Sequence, residues 1–246
     1  MTPPMIDIRK LRKTYRGAAH PSVDGLTLQV SEGAFFGLLG PNGAGKTTTL
    51  SVLCGLCPYD TGEAKVGGLD VRREMGRIRR MIGVVPQEIA LYPELTAREN
   101  LHFFGGIQGI PSTTLRKRID DYIELFDLAP HLSKKTSHLS GGMKRKVNLM
   151  VAMLHRPRIL FLDEPTVGVD VLSKQEIVTH LQALHREGMT LVYTSHDMAE
   201  AEKLCTHVAL MNRGRVVCEG APAELLNRTG TATLEELFMA RAGSEV

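Results

Sequence analysis

Residues 34–48 read AFFGLLGPNGAGKTT, and this stretch decides the fold. Ala34 to Leu39 is a continuous apolar run, which predicts a strand buried on both faces. Gly40 to Thr47 fits GxxxxGK[ST] at every fixed position. Beyond it Leu50, Leu53, Cys54 and Cys57 recur at helical spacing, and Pro58 and Gly62 are read as closing that helix. Strand, glycine loop and helix in this order are the context in which the pattern holds nucleotide phosphates. Glycines let backbone N–H groups turn inward around phosphate oxygens, and the helix N-terminus adds its positive dipole. The phosphate-binding set is therefore Gly40, Pro41, Asn42, Gly43, Ala44, Gly45, Lys46, Thr47 and Thr48. Lys46 is placed to reach the β- and γ-phosphates, and the Thr47 hydroxyl to ligate Mg²⁺.

Around this loop the chain has 246 residues, room for one large domain or one domain with an insertion. It is 43% hydrophobic and 23% charged, the balance of a water-facing globular protein. A net charge of +3 does not by itself point to nucleic acid or an anionic membrane. No apolar run approaches the roughly 18–20 residues that span a bilayer. The opening MTPPMIDIRK lacks a secretion signal's apolar stretch, so a cytoplasmic location is expected. Cys54 and Cys57 have the CxxC spacing of redox and zinc sites. No second ligand pair matches them, so the reading is packing.

Residues 5–11 and 26–30 alternate apolar and polar and predict half-buried strands; 81–85, 159–162 and 190–194 predict buried ones. Residues 207–219 read as a hairpin turning at Asn212-Arg213-Gly214. Between Gln87 and Pro157 the strand signals give way to helical spacing, as in Ile119, Tyr122, Ile123 and Phe126. The fold class is α/β: a phosphate-loop core with a mixed or parallel sheet, an antiparallel β subdomain, and a helical insertion at about 88–157. One domain is expected over 1–228 and a short helical tail over 229–246. Thr233 and Glu236 form a capping box there, followed by Leu234, Leu237 and Phe238 on one face, which either packs back or meets a partner.

Residues 159–164, ILFLDE, deliver Asp163 to the carboxyl end of a buried strand, where open α/β sheets bind ligands. Asp163 is a candidate for holding Mg²⁺, and Glu164 for taking a proton from an attacking water. Tyr193-Thr-Ser-His196 ends another buried strand and puts His196 near the same edge.

The stretch 138–146, HLSGGMKRK, raises a separate question. Met143, Val147, Met150, Val151 and Leu154 mark one helix face that ends before Pro157, with Ser140 near the N-cap. Its first N–H groups make an anion site. The cations at 144–146 are unfavourable at the positive end of a helix dipole; a solvated face makes them tolerable, and an anionic ligand nearby would reduce the cost. The Arg116-Lys-Arg118 cluster is expected to be solvated as well. A second phosphate-binding surface, in a chain that already has a phosphate loop, points to another molecule's nucleotide.

Leu139-Ser-Gly-Gly-Met143 resembles the signature motif of ATP-binding subunits of ATP-binding cassette (ABC) transporters, and the motif order matches that family from Tyr15 to about residue 220. The resemblance implies ATP and Mg²⁺ as cofactors. It implies Tyr15 as the aromatic stacked on adenine, and Gln87 as the glutamine sensing Mg²⁺ and the attacking water. Asp163 becomes the Mg²⁺-site aspartate, Glu164 the catalytic glutamate and His196 the switch histidine. Asp170, in Gly168-Val-Asp170, lies in the loop joining two ATP sites. Ser140, Gly141, Gly142 and Met143 of one copy would close over ATP held by another, in a head-to-tail dimer. Three positions depart from the family pattern: Met143 for glutamine, Val169 for leucine and Lys146 for arginine. None removes a catalytic group, so an active ATPase is expected.

The resemblance further implies separately encoded membrane permease subunits, a peripheral place on the cytoplasmic face of the membrane, and no nucleic-acid partner. The motif style, with Thr166-Val-Gly-Val-Asp170, is most similar to the branch exporting drugs, lipids or natural products. Two alternatives stay open: a soluble ABC ATPase acting on DNA or ribosomes, and a small-molecule kinase, which would leave LSGGM and His196 unexplained.

Overall fold

In the computed structural model residues 3–242 are described. The chain runs β1 (Ile6–Lys13), β2 (Val23–Val30), β3 (Phe35–Leu39), α1 (Lys46–Leu53), β4 (Thr61–Val66), β5 (Leu69–Asp70), α2 (Met75–Ile78) and β6 (Ile82–Val85). A helical stretch follows: α3 (Ala97–Ile107), α4 (Ser112–Leu125) and α5 (Gly141–Met153). The chain then alternates β7 (Ile159–Asp163), α6 (Val171–Arg186), β8 (Thr190–Ser195) and α7 (Met198–Leu204). It closes with β9 (His207–Asn212), β10 (Arg215–Gly220), α8 (Pro222–Thr229) and α9 (Leu234–Ala242).

Two sheets result. One has the order β2-β1-β4-β5 and is antiparallel. The other has the order β10-β9-β3-β8-β7-β6; it is parallel from β9 to β6, with β10 antiparallel at one edge. The parallel strands are mainly apolar because both their faces are covered, with polar residues gathered toward their ends. Side chains alternate across a strand, so Phe35 and Leu39 of β3 face one core and Phe36 and Leu38 the other. Likewise Leu160 and Leu162 of β7 join the helical side, while Ile159 and Phe161 pack toward the antiparallel sheet.

The strand after Leu56 was not legible. Of TGEAKV in β4 only Ala64 and Val66 are buried, and its pairing with β1 supplies the rest. The first helix is also shorter than its spacing implied: α1 stops at Leu53, with Cys54 as C-cap. All four cysteines are free, and burial pushes the Cys54 thiol up to about 12, so it behaves as an apolar filler.

The tail helix packs back. Leu234, Leu237 and Phe238 of α9 join the main core. Thr233 Oγ1 accepts from Glu236 N at 3.2 Å. Glu236 reaches one residue further back than a capping box, to Ala232 N at 2.8 Å. Residues 243–246 of the expected tail lie outside the described residues. No helix among the described residues is long and apolar enough to cross a membrane.

Candidate nucleotide site

Parallel strands all point their carboxyl ends one way, and four of them end in site residues. β3 runs into Gly40, β7 ends at Asp163, β8 leads into His196 and β6 leads into Gln87. Asp163 and Thr194 are paired across β7 and β8, so the carboxylates and His196 stand on neighbouring strands. This edge borders a cleft of about 370 Å³ lined by Asn42–Thr48, Gln87, Glu164 and Ser22.

The loop turns as its glycines require. Gly45, the N-cap of α1, has φ 102°, and a Cβ there would overlap the carbonyl of Ser22. Lys46 is 5% exposed; its Nζ donates to Gly40 O at 2.7 Å and Pro41 O at 3.1 Å, and lies 3.6 Å from Glu164 Oε1. Burial pulls the Lys46 ammonium below the ordinary lysine range, and Glu164 opposes that shift.

Glu164 is the centre of the polar cluster. Gln87 Nε2 donates to its Oε2 at 3.4 Å, and His196 Nδ1 lies 3.3 Å from its Oε1. Its backbone has φ 46°, a left-handed conformation uncommon for a residue with a side chain. Thr194 holds that turn: its Oγ1 accepts from Glu164 N at 3.0 Å and donates to Asp163 Oδ1 at 2.6 Å. Asp163 Oδ1 also accepts from Thr47 Oγ1 at 3.1 Å. Thr194 is fully buried, and sequence reading passed over it as the middle of Tyr-Thr-Ser-His. Its strand-end position one residue before Ser195 was the available signal.

Not every expected residue comes to the cleft. Tyr15 is 44% exposed and is not among the lining residues; the Lys13 ammonium sits 5.2 Å from its ring centroid. Ser140, Gly141, Gly142 and Met143 do not line it either. Ser140 is the N-cap of α5, its Oγ accepting from Met143 N at 3.2 Å. Asp170 caps α6 in the same way, its Oδ1 accepting from Ser173 N at 3.0 Å. The two caps adjoin, because a Cβ on Gly142 would overlap Ser173 Oγ and one on Gly141 would stand 3.7 Å from Gly168 O.

A solvated face for the cations of 144–146 is corrected at Arg145 and Lys146, while Lys144 is half-exposed. Arg145 and Lys146 are buried. Arg145 donates to Pro86 O and Gln87 O, each at 2.7 Å, and Lys146 Nζ meets Glu176 Oε2 at 2.8 Å. The cations are held by neighbouring elements instead of water. In the other basic cluster Arg118 is also drawn in, donating to Leu154 O at 2.6 Å, while Arg116 and Lys117 are exposed.

A sequence model described as ABC transporter matches residues 23–167, more than half of the chain. This chain belongs to the ABC transporter family. It is an ATP-binding, ATP-hydrolysing component of that family. The linearmycin resistance ATP-binding protein of Bacillus subtilis (strain 168) is 40% identical over 233 residues, 95% of this ABC chain and 74% of the relative. The Nod factor export ATP-binding protein I of Ralstonia nicotianae (strain ATCC BAA-1114 / GMI1000) is 39% identical, covering 96% of this chain and 73% of that one. A solved ATP-binding subunit of an ABC transporter has a TM-score of 0.86 at 28% identity, covering 97% of this chain and 99% of its own. A dimeric ATP-binding cassette in a post-hydrolysis state, bound to ADP and Pi, has a TM-score of 0.79 at 27% identity, covering 88% and 98%. These likenesses do not favour action on DNA or ribosomes.

Proposed function

We propose that two copies of this cassette, or this chain and a paralogous one, close head to tail over ATP and drive export through membrane permease subunits. The observation that carries the reading is the split of the site: the cleft holds the phosphate loop and Glu164, while Ser140–Met143 stand outside it at the N-terminus of α5. A helix N-terminus with free N–H groups attracts phosphate, and a second copy turned about a two-fold axis brings it over the cleft. Asp170 then joins the two sites from the adjoining cap.

Within each site Lys46 moves from the carbonyls of Gly40 and Pro41 to the β- and γ-phosphates. Tyr15 stacks on adenine once ATP lies along the loop. Glu164 accepts the proton of the attacking water, Gln87 orients that water, and His196 reaches from Glu164 toward the γ-phosphate. Thr47 Oγ1, Asp163 and the amide oxygen of Gln87 are hard oxygen donors, a set that fits Mg²⁺ completed by phosphate and water oxygens. Mg²⁺ bound there supplies charge neutralisation for the transferred phosphoryl group.

Beside Gln87 an apolar groove of about 900 Å³, walled by Leu56, Pro86, Phe104 and Ile107 and rimmed by Arg79 and Arg80, offers the permease a seat. That contact holds the chain on the cytoplasmic face of the membrane. Relatives named for antibiotic resistance, multidrug transport and Nod factor export support export as the direction.

The test is the mass of purified Glu164→Gln with and without Mg-ATP. A species of twice 27.0 kDa that needs ATP is expected, and Ser140→Arg in that background should bind ATP yet stay monomeric. Monomeric Glu164→Gln with ATP bound, alone and with its permease, refutes the dimer. Unchanged hydrolysis in the same variant removes Glu164 as the base.

A further inference from the structure

Arg145 is 4% exposed, and burial alone draws its guanidinium below the ordinary arginine range, with no carboxylate near enough to oppose that shift. A buried charge without an anion is costly unless hydrogen bonds replace its water. Two do so here: Nη1 donates to Pro86 O and Nη2 to Gln87 O, each at 2.7 Å. The Nε hydrogen finds no partner. An apolar side chain would fill the same space without that desolvation, so what the arginine adds is a fixed grip on two consecutive carbonyls. The planar fork holds them through two nitrogens at fixed spacing; an ammonium, which also meets two carbonyls as Lys46 does, has one nitrogen on a flexible stem.

The grip joins two parts of the proposed machinery. Arg145 lies two residues beyond Met143, whose N–H is capped by Ser140. Its other end is the backbone of Gln87, whose amide meets Glu164 at 3.4 Å. Helix α5 sits directly on β6, since a Cβ on Gly83 would overlap Ala152 O. A shift at the start of α5 is therefore carried to Gln87 by a short, rigid path.

We propose that Arg145 is a positioning residue: it ties the signature end of α5 to the Gln87 backbone, so that the approach of Gln87 to Glu164 depends on what occupies the signature. This rests on the roles given above to Gln87 and Glu164.

The experiment uses the purified full chain as wild type, Arg145→Lys, Gln87→Ala and the double variant. Hydrogen exchange without nucleotide is read at amides 87–92. Arg145→Lys is expected to speed it about tenfold while α5 and β7 change less than about twofold. In steady-state ATPase assays it should lower kcat about tenfold, with KM for ATP within about threefold, because the phosphate loop is untouched. In the Gln87→Ala background the same change should cost less than about twofold, since its effect runs through Gln87. Equal losses in both backgrounds, or unchanged loop exchange, overturn the proposal. If Arg145→Lys does not fold, Arg145→Gln carries the same tests with the buried charge removed. If Gln87→Ala keeps full kcat, the Gln87 role fails and this coupling with it. If the wild type hydrolyses nothing, the ATPase reading fails, and the exchange result still decides the tether.

Discussion

Replacing Thr194 by valine removes one hydroxyl, keeps the side-chain shape, and disturbs both carboxylate residues at once. Glu164 N loses its acceptor at 3.0 Å, and Asp163 Oδ1 loses its shorter hydrogen bond at 2.6 Å but keeps Thr47. Thr194 is fully buried, so water does not replace either bond. An orphaned buried N–H costs about 1–3 kcal/mol, and a hydrogen bond to a charged group contributes about 1.5–3 kcal/mol. The added methyl returns about 0.8 kcal/mol, so the expected net loss is about 2–5 kcal/mol. For a chain of this size that lowers Tm by roughly 4–20 °C. Glu164 should then leave its left-handed conformation at φ 46°, which nothing else at its N–H holds. Hydrolysis should fall about 100-fold, the scale of a misplaced catalytic group. Thr194→Ser keeps both bonds and should lose only about 1 kcal/mol for the missing methyl. Thermal unfolding and ATPase assays on the three proteins check this. If Thr194→Val melts within about 2 °C of wild type with normal turnover, the hydroxyl does not hold the site and the reasoning fails.

Gly142→Ala should push α5 away from α6, because the new methyl overlaps Ser173 Oγ; overpacking of this kind costs about 1–3 kcal/mol. In the Glu164→Gln background it should abolish the ATP-dependent dimer, and adding Ser173→Gly should restore it; a dimer unaffected by Gly142→Ala contradicts the steric account. Burial lowers the pKa of both His155 and His180, with Arg118 and Lys146 respectively adding repulsion. The unfolded chain then binds those protons more readily, so their contribution is present above the unfolded value of about 6.5 and is lost as pH falls through it toward the lower folded values. NMR titration should find both midpoints below 6.5, and denaturation should show stability declining from about pH 7 to pH 5; midpoints at or above 6.5 would reverse the sign.

The sequence by itself determined whatever is encoded in consecutive residues. The phosphate loop was legible because its function belongs to its own backbone: Gly45 must turn left-handed and Lys46 must open the helix, and both facts lie inside GPNGAGKT. The buried strands showed as unbroken apolar runs because both their faces are covered, and LSGGM showed as a helix start through Ser140. Only the tertiary structure decided which distant residues share a partner. Thr194 is ordinary until β8 pairs with β7 and brings its hydroxyl between Asp163 and Glu164. Arg145 and Lys146 looked solvated because a run of cations reads as surface, and their partners at Pro86, Gln87 and Glu176 lie 30 or more residues away. Strand β4 lacked a signal because its stabilisation comes from pairing with β1. Local backbone preference and periodicity are properties of neighbouring residues. Hydrogen-bond satisfaction in a core depends on which groups the completed fold brings together, and that is where this site's support was hidden.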